Sequence, residues 1–380
     1  MTTSPFRRSP GLPRGLFGRS ADPAGRLYLL PAGIVAGEAA DAAVIAGTGW
    51  PLGGGPLAFT AAALVWRDDG QAWIATVPFA ELAAWTDGED PDLGRHVGRL
   101  VQRIGAPRPP WAGLAVDRPL VMGIVNATPD SFSDGGEFLA PDAAVAHGLA
   151  LAAAGADIID VGGESTRPGA APVSEDEELR RVLPVVGALA ERGLVVSIDT
   201  RHARVMEAAT AAGARIINDI AGLAGPGALA AAARSGAALC VMHMQGEPGT
   251  MLDAPRYDCA PLDVYDVLAE RIEAGRAAGI GPERIAIDPG IGFGKTTEHN
   301  AQVLAALGLY HGLGCPLLLG VSRKRFIAAL SAGEPPRDRL PGSLAAALAG
   351  LDAGVQILRV HDVAATVQAV RVWQSIRQAG

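Results

Sequence analysis

Eight short apolar runs in the second part of this chain each end on residues that can bond, ionise or grip an anion. The ends are Asn126, Asp160, Asp199, Asn218 with Asp219, His243, Asp288, Ser322 with Lys324, and Arg359 with His361. Carboxylates accept hydrogen bonds, amides donate and accept, and Lys and Arg donate to anions. One Asp after a strand is often a helix N-cap. Asn, His, Lys and Arg at successive strand ends cannot all be caps. Composition marks the same residues. The 380-residue chain has only Lys295 and Lys324 as lysines and only Asn126, Asn218 and Asn300 as asparagines, beside 30 Arg. Three of those five fall at strand ends.

The runs are residues 120–125, 157–161, 195–198, 215–217, 238–242, 285–287, 316–320 and 356–360. Helical stretches rich in Ala, Leu, Glu and Arg fill the gaps. One of them, residues 174–191, opens on an expected capping box of Ser174 and Glu177. Continuous apolar runs separated by helices imply parallel strands covered on both faces. Eight such units in about 265 residues predict an α/β fold, a (β/α)8 TIM barrel over 116–380. A doubly wound open sheet is the alternative. In a barrel the eight C-terminal strand ends share one face, which is where this fold places its chemistry.

The first part of the chain differs. Residues 1–26 hold five Arg and no apolar signal region, and read as a disordered start, with a transit peptide the alternative. Residues 27–110 form an expected N-terminal α+β extension, with strands over 26–35, 57–66 and 71–78. Asp68-Asp69-Gly70 suggests a hairpin, 93–104 a helix, and Pro107–Pro110 a linker. The extension carries no chemical motif, and an assembly or stability module is the expectation. A net charge of −8 without a basic block excludes a nucleic-acid footprint. No apolar run reaches the roughly 18 residues of a membrane span. Cys240, Cys259 and Cys315 lack metal or redox spacing and read as buried apolar residues in a reducing, cytoplasmic setting. Gly290–Thr296 imitates a P-loop, but Pro289 replaces its first glycine. Lys295 is expected to pair with a loop carboxylate or to fix this turn.

The strand ends lie in a recognisable series. Met122-Gly-Ile-Val-Asn-Ala-Thr-Pro-Asp-Ser-Phe-Ser-Asp-Gly-Gly136 and Asp160-Val-Gly-Gly-Glu-Ser-Thr-Arg-Pro-Gly169 resemble loops of the dihydropteroate synthase family. So do Ser197-Ile-Asp-Thr200, Ile217-Asn-Asp-Ile220, His243-Met-Gln-Gly246, Asp288-Pro-Gly-Ile-Gly-Phe-Gly-Lys-Thr296, Gly320-Val-Ser-Arg-Lys324 and Arg359-Val-His-Asp362. The resemblance spans residues 118–377. It departs at Glu247–Met251 and in the extension, which the ordinary member lacks.

The resemblance implies a transferase of folate biosynthesis. It would condense 6-hydroxymethyl-7,8-dihydropterin pyrophosphate with p-aminobenzoate, and sulfonamides would target it. It implies pterin contacts from Asp199, Asn218, Asp288, Lys324, Met242 and Phe293. Pyrophosphate would meet Arg167, Arg359, His361 and Asn126, with Asn126 also the ligand of a Mg²⁺ cofactor. The p-aminobenzoate site would comprise Phe132, Thr166, Pro168, Ser322 and Lys324. Lys324, Arg359 and His361 would carry the catalytic work, and loops 128–138 and 164–173 would act as mobile lids. Partners are the small-molecule substrates, with a homodimer implied and neither nucleic acid nor membrane. A pterin-binding methyltransferase and a non-catalytic pterin-binding protein share the barrel. The joint presence of Ser322-Arg-Lys324 and Arg359-Val-His361 favours the synthase.

Overall fold

A computed structural model describes residues 3–14, 25–89, 91–127, 140–165 and 173–379. The extension is built on strands β1 (Arg7–Arg8), β2 (Leu27–Ala36), β3 (Trp50–Leu52), β4 (Leu57–Asp68) and β5 (Gln71–Pro78). Helices α1 (Gly37–Ile45), α2 (Phe79–Asp87) and α3 (Pro91–Gly105) accompany them. The sheet order is β1-β5-β4-β2, with β3 on β4. The expected hairpin joins β4 to β5 through Asp69 and Gly70, at φ 46° and 70°. Positive φ at both central residues matches the twist of the flanking strands. Arg7 and Arg8 pair with Trp73 and Ile74, so this part of the first 26 residues carries a short strand where a disordered start is expected. Alternation gives the sheet two apolar faces. Leu27, Leu29, Leu64 and Trp66 join the extension's own core, while Tyr28 and Val65 point the other way into the core of the barrel.

The second unit holds β6 (Leu120–Asn126), α4 (Ala140–Ala153), β7 (Ile158–Gly162), α5 (Glu175–Ala190), β8 (Val196–Asp199), α6 (Ala203–Ala211), β9 (Ile216–Asp219) and α7 (Ala228–Ser235). It continues with β10 (Ala238–Met242), α8 (Ala260–Ala277), β11 (Ile285–Asp288), α9 (Thr297–Ala305), β12 (Leu318–Leu319), α10 (Arg325–Leu330), α11 (Leu340–Asp352), β13 (Ile357–Val360) and α12 (Val363–Gln378). All eight strands are parallel, in the order β11-β10-β9-β8-β7-β6-β13-β12. First strand pairs with last, Leu120 opposite Ile357, and a parallel bridge between Ile287 and Leu317 completes the ring. An open doubly wound sheet would leave both edges free. The barrel is closed.

Residue alternation sorts the strands. Leu120, Met122, Ile158, Ile216, Cys240, Ala286, Leu318 and Ile357 fill the interior. Their neighbours Val121, Ile159, Ile217, Leu239, Ile287 and Leu358 pack outward under the helices. Trp111, just past the expected linker, is fully buried with the interior set and donates Nε1 to the Arg284 carbonyl at 3.1 Å. It closes the barrel at the N-terminal ends of the strands. Nearby, a cavity of about 340 Å³ lies between the Leu52–Leu57 turn of the extension and residues 116–119 and 354–356, away from the polar strand ends. The expected capping box on α5 is half formed. Ser174 accepts from the Glu177 N–H, but the Glu177 carboxylate turns outward to Arg180 and Arg181.

Candidate active site

The inward parity that packs Ile158, Ile216, Ala286 and Ile357 puts the residues two further on inward as well. Those residues are Asp160, Asn218, Asp288 and Arg359. They come from alternate strands β7, β9, β11 and β13, the pattern by which this fold fills one interior layer with four side chains. Here that layer is polar and rests on an apolar one. Asp160 is fully buried, and its Oδ2 accepts from Asn218 Nδ2 at 3.2 Å and from Arg359 Nε at 2.6 Å. Arg359 Nη2 donates to Asp199 Oδ2 at the end of β8. Burial pushes the Asp199 and Asp288 carboxyls above the ordinary carboxylate range, with Arg359 opposing at Asp199 and Lys324 at Asp288.

Lys324 follows β12 and caps α10. Its ammonium donates to the Ile291 carbonyl and lies 4.6 Å from the centre of the Phe293 ring. Burial lowers it to about 8, against the pull of Asp288. Its direction is set by Arg323, a non-glycine residue at φ 58°, a backbone state that persists only where the surroundings hold it. Ser343 Oγ accepts from the Arg323 N–H at 2.8 Å, and Arg323 Nε reaches Asp362 Oδ2 at 2.9 Å. Ser322 accepts from the His361 N–H at 3.2 Å and lies 3.1 Å from its Nδ1. The loop after β12 and the end of β13 are thereby locked together.

The structure brings Asp199, Asn218, Asp288, Lys324, Met242, Phe293, Ser322, Arg359 and His361 to one end of the barrel. Asn126, half-buried at the end of β6, has inward parity, and its side chain makes no hydrogen bond among the described residues. Arg167, Phe132, Thr166 and Pro168, with most of loops 128–138 and 164–173, lie outside the described residues. Arg359, expected at a pyrophosphate, is first the counter-ion of Asp160 and Asp199. Its Nη1 makes no bond among the described residues.

Asp160 received no role from the sequence, although its inward parity was available there. Its Oδ1 and the Ser197 Oγ are both buried without a partner among the described residues, on residues paired in register across β7 and β8. Orphaned acceptors in a buried site call for a donor. Outward parity explains the strand-end residues that do other work. Asp219 accepts from the Ala221 and Leu223 N–H groups at 2.7 and 2.9 Å, a loop cap. His243 Nδ1 meets Lys295 Nζ at 2.8 Å, and Lys295 also donates to the Gly290 and Phe293 carbonyls. Lys295 therefore fixes its turn and has no carboxylate partner among the described residues. Glu247, the departure in the loop after β10, accepts from Arg201 Nη1 at 3.3 Å. Arg201 also holds Glu164, whose Oε1 accepts from the Val173 N–H.

Three inward carboxylates, two amides and two cations thus surround a shared space at one end of a closed (β/α)8 barrel, the arrangement of an enzyme site. The profile of the family described as pterin binding enzyme matches residues 122–361, and the chain belongs to that family. Within it the chain falls among the dihydropteroate synthases, which are transferases. It is 50% identical over 267 residues to the dihydropteroate synthase of Escherichia coli (strain K12), covering 70% of this chain and 94% of that one. It is similar to the dihydropteroate synthase of Xanthomonas albilineans solved with 4-aminobenzoic acid, at 53% identity and TM-score 0.67 over 70% of this chain and 96% of that. A Yersinia pestis dihydropteroate synthase solved with a sulfonamide drug complex matches at 49% identity and TM-score 0.66, with 70% and 96% covered.

Proposed function

We propose that this chain condenses 6-hydroxymethyl-7,8-dihydropterin pyrophosphate with p-aminobenzoate, giving 7,8-dihydropteroate and pyrophosphate. The observation that carries the reading is the buried polar layer, above all the Oδ1 of Asp160, which has no donor among the described residues, beside Asp199 and Asp288. A pterin edge offers amino and ring N–H donors next to carbonyl and ring-nitrogen acceptors. Asp160, Asp199 and Asp288 supply acceptors, Asn218 an amide carbonyl, and Lys324 a donor. Met242 and Phe293 supply apolar surface. A donor-rich ligand also relieves the burial that holds the Asp199 and Asp288 carboxyls high.

The bond from the pterin methylene to pyrophosphate loosens with its electron pair leaving on oxygen. The neutral aniline nitrogen of p-aminobenzoate then bonds to the methylene and loses a proton to solvent. Arg359 Nη1 and His361 face the leaving anion, and Arg167 is assigned there by family likeness. The chain contributes orientation and charge stabilisation, and no strong general base is required. Ser322 and Lys324 form the described part of the p-aminobenzoate site, which Phe132, Thr166 and Pro168 would complete. The Asn126 carbonyl oxygen fits Mg²⁺, which accepts one protein oxygen and fills its shell with water and phosphate oxygens. Bound there, the ion would neutralise charge on the leaving pyrophosphate.

The assay mixes both substrates with Mg²⁺ and follows pyrophosphate release. A sulfonamide should compete with p-aminobenzoate. No release from a folded protein would defeat the reading. No helix of the described residues is long and apolar enough to cross a membrane. The buried, unpaired thiols of Cys240, Cys259 and Cys315 support work in the reducing cytoplasm.

A further inference from the structure

The extension, outside the region the family matches, is joined to the active-site loops by a continuous set of contacts. Arg67, near the end of β4, donates through Nη2 to Asp263 Oδ1 at 2.8 Å and to Asp266 Oδ2 at 2.9 Å, both on the first half of α8. Its Nε donates to the Tyr28 hydroxyl at 3.2 Å, which lies 2.9 Å from Asp266 Oδ1. The Tyr28 ring meets Tyr265 edge-on at 5.2 Å. Asp263 uses its other oxygen, Oδ2, to accept from the N–H of Cys259, the N-cap of α8, at 3.0 Å. One carboxylate thus joins the extension to the start of this helix.

Two residues before Cys259, Tyr257 donates its hydroxyl to the Gly294 carbonyl at 2.7 Å. The turn carrying Gly294 and the loop after β10 touch backbone to backbone. A Cβ at Gly290 would collide with the His243 carbonyl oxygen, and one at Gly294 with that of Gln245. The same turn delivers the Gly290 N–H to Asp288 Oδ1 at 2.7 Å, leaving Oδ2 open on the side where Lys324 and Gly320 lie. A shift at the start of α8 therefore reaches the Asp288 carboxylate through hydrogen bonds and closed backbone contacts.

We propose that the extension is a clamp on the first turn of α8. Arg67 acts as a positioning residue that holds the loop after β10, and through it the Asp288 side of the pocket, in its binding geometry. Only the ligand arm of the test rests on the pterin reading above.

The test uses the full chain as wild type, Arg67→Met, Arg67→Lys, Tyr257→Phe and the double variant Arg67→Met/Tyr257→Phe. Amide hydrogen exchange should rise roughly tenfold in Arg67→Met over residues 243–259 and 289–296, with β6 to β8 unchanged. Tyr257→Phe, which does not touch the extension, should raise exchange over 289–296 alone. In calorimetric titration, Arg67→Met should weaken the dihydropterin pyrophosphate roughly fivefold and Arg67→Lys should recover most of that. Because both changes break one chain of contacts, the double variant should bind no worse than about twofold below the weaker single variant. Unchanged exchange over 289–296 in Arg67→Met would overturn the proposal, as would fold-losses that multiply in the double variant. If wild type bound no pterin pyrophosphate, the functional reading would fail while the exchange arm still decided this one.

Discussion

Asp160, Asp199 and Asp288 show why buried carboxylates are informative. Ionised carboxylates withdrawn from water are unfavourable unless something donates to them. Arg359 answers Asp160 and Asp199, and Lys324 answers Asp288, yet three acids face two cations and the buried Asp160 Oδ1 has no donor among the described residues. Replacing Asp199 with Ala removes a charged acceptor and leaves Arg359 with Asp160 alone, so pterin pyrophosphate affinity should fall by about a hundredfold or more. A titration in which Asp199→Ala binds normally would sink the assignment. The pH dependence follows in sign. Asp199 accepts from the ligand as a carboxylate, and burial raises its titration, so affinity should climb as pH rises through that elevated value. Lys324 donates as an ammonium and is lowered to about 8, so affinity should decline as pH passes about 8. Dissociation constants measured across this span should trace a bell, and an alkaline limb that keeps rising would remove Lys324 from the pterin contact.

The turn after β11 is the element on which the site most depends. Lys295 is buried, and its three contacts fold residues 290–295 back over Asp288. Burial pushes Lys295 well below the ordinary lysine range and holds His243 low as well. Lys295→Met keeps the volume but leaves the Gly290 and Phe293 carbonyls without their donor. It should lower stability by about 1–3 kcal/mol, seen as a lower urea midpoint at unchanged slope. A wild-type midpoint would mean that water replaces the ammonium at no cost. From sequence, this turn gave two alternatives for Lys295, because spacing does not say whether a lysine faces a carboxylate or a carbonyl. The half-formed capping box on α5 has a similar origin. Ser174 and Glu177 have the right spacing, but Arg180 and Arg181 one turn later compete for the glutamate.

At the scale of the molecule, two units share one core boundary. Tyr28 and Val65 belong to the barrel's packing rather than to the extension's, and Trp111 enters the barrel from the connecting segment. Trp111→Ala would open a large cavity at the closed end and free the Arg284 carbonyl. It should cost about 3–5 kcal/mol, read in equilibrium unfolding monitored at both units. A loss below about 1 kcal/mol would mean the barrel end collapses onto the gap.

Much of this arrangement was legible beforehand. Eight apolar runs with helices between them determined covered parallel strands, which need apolar residues on both faces, and favoured a barrel over a doubly wound sheet. The motifs placed Asp199, Asn218, Asp288, Lys324, Arg359 and His361 at its C-terminal end. Period-two alternation, a local property, also separates Asp160 from Asp219 and Asn218 from His243 by face. Only the tertiary structure decided that Asp160 meets Arg359 and Asn218 across the interior, that Arg323 aims Lys324, and that Arg67 reaches α8. Those partners lie 199, 58, 196 and 199 residues apart for Arg359–Asp160, Asn218–Asp160, Arg67–Asp263 and Arg67–Asp266. Such meetings depend on strand stagger and on how the ring closes, which no local pattern encodes.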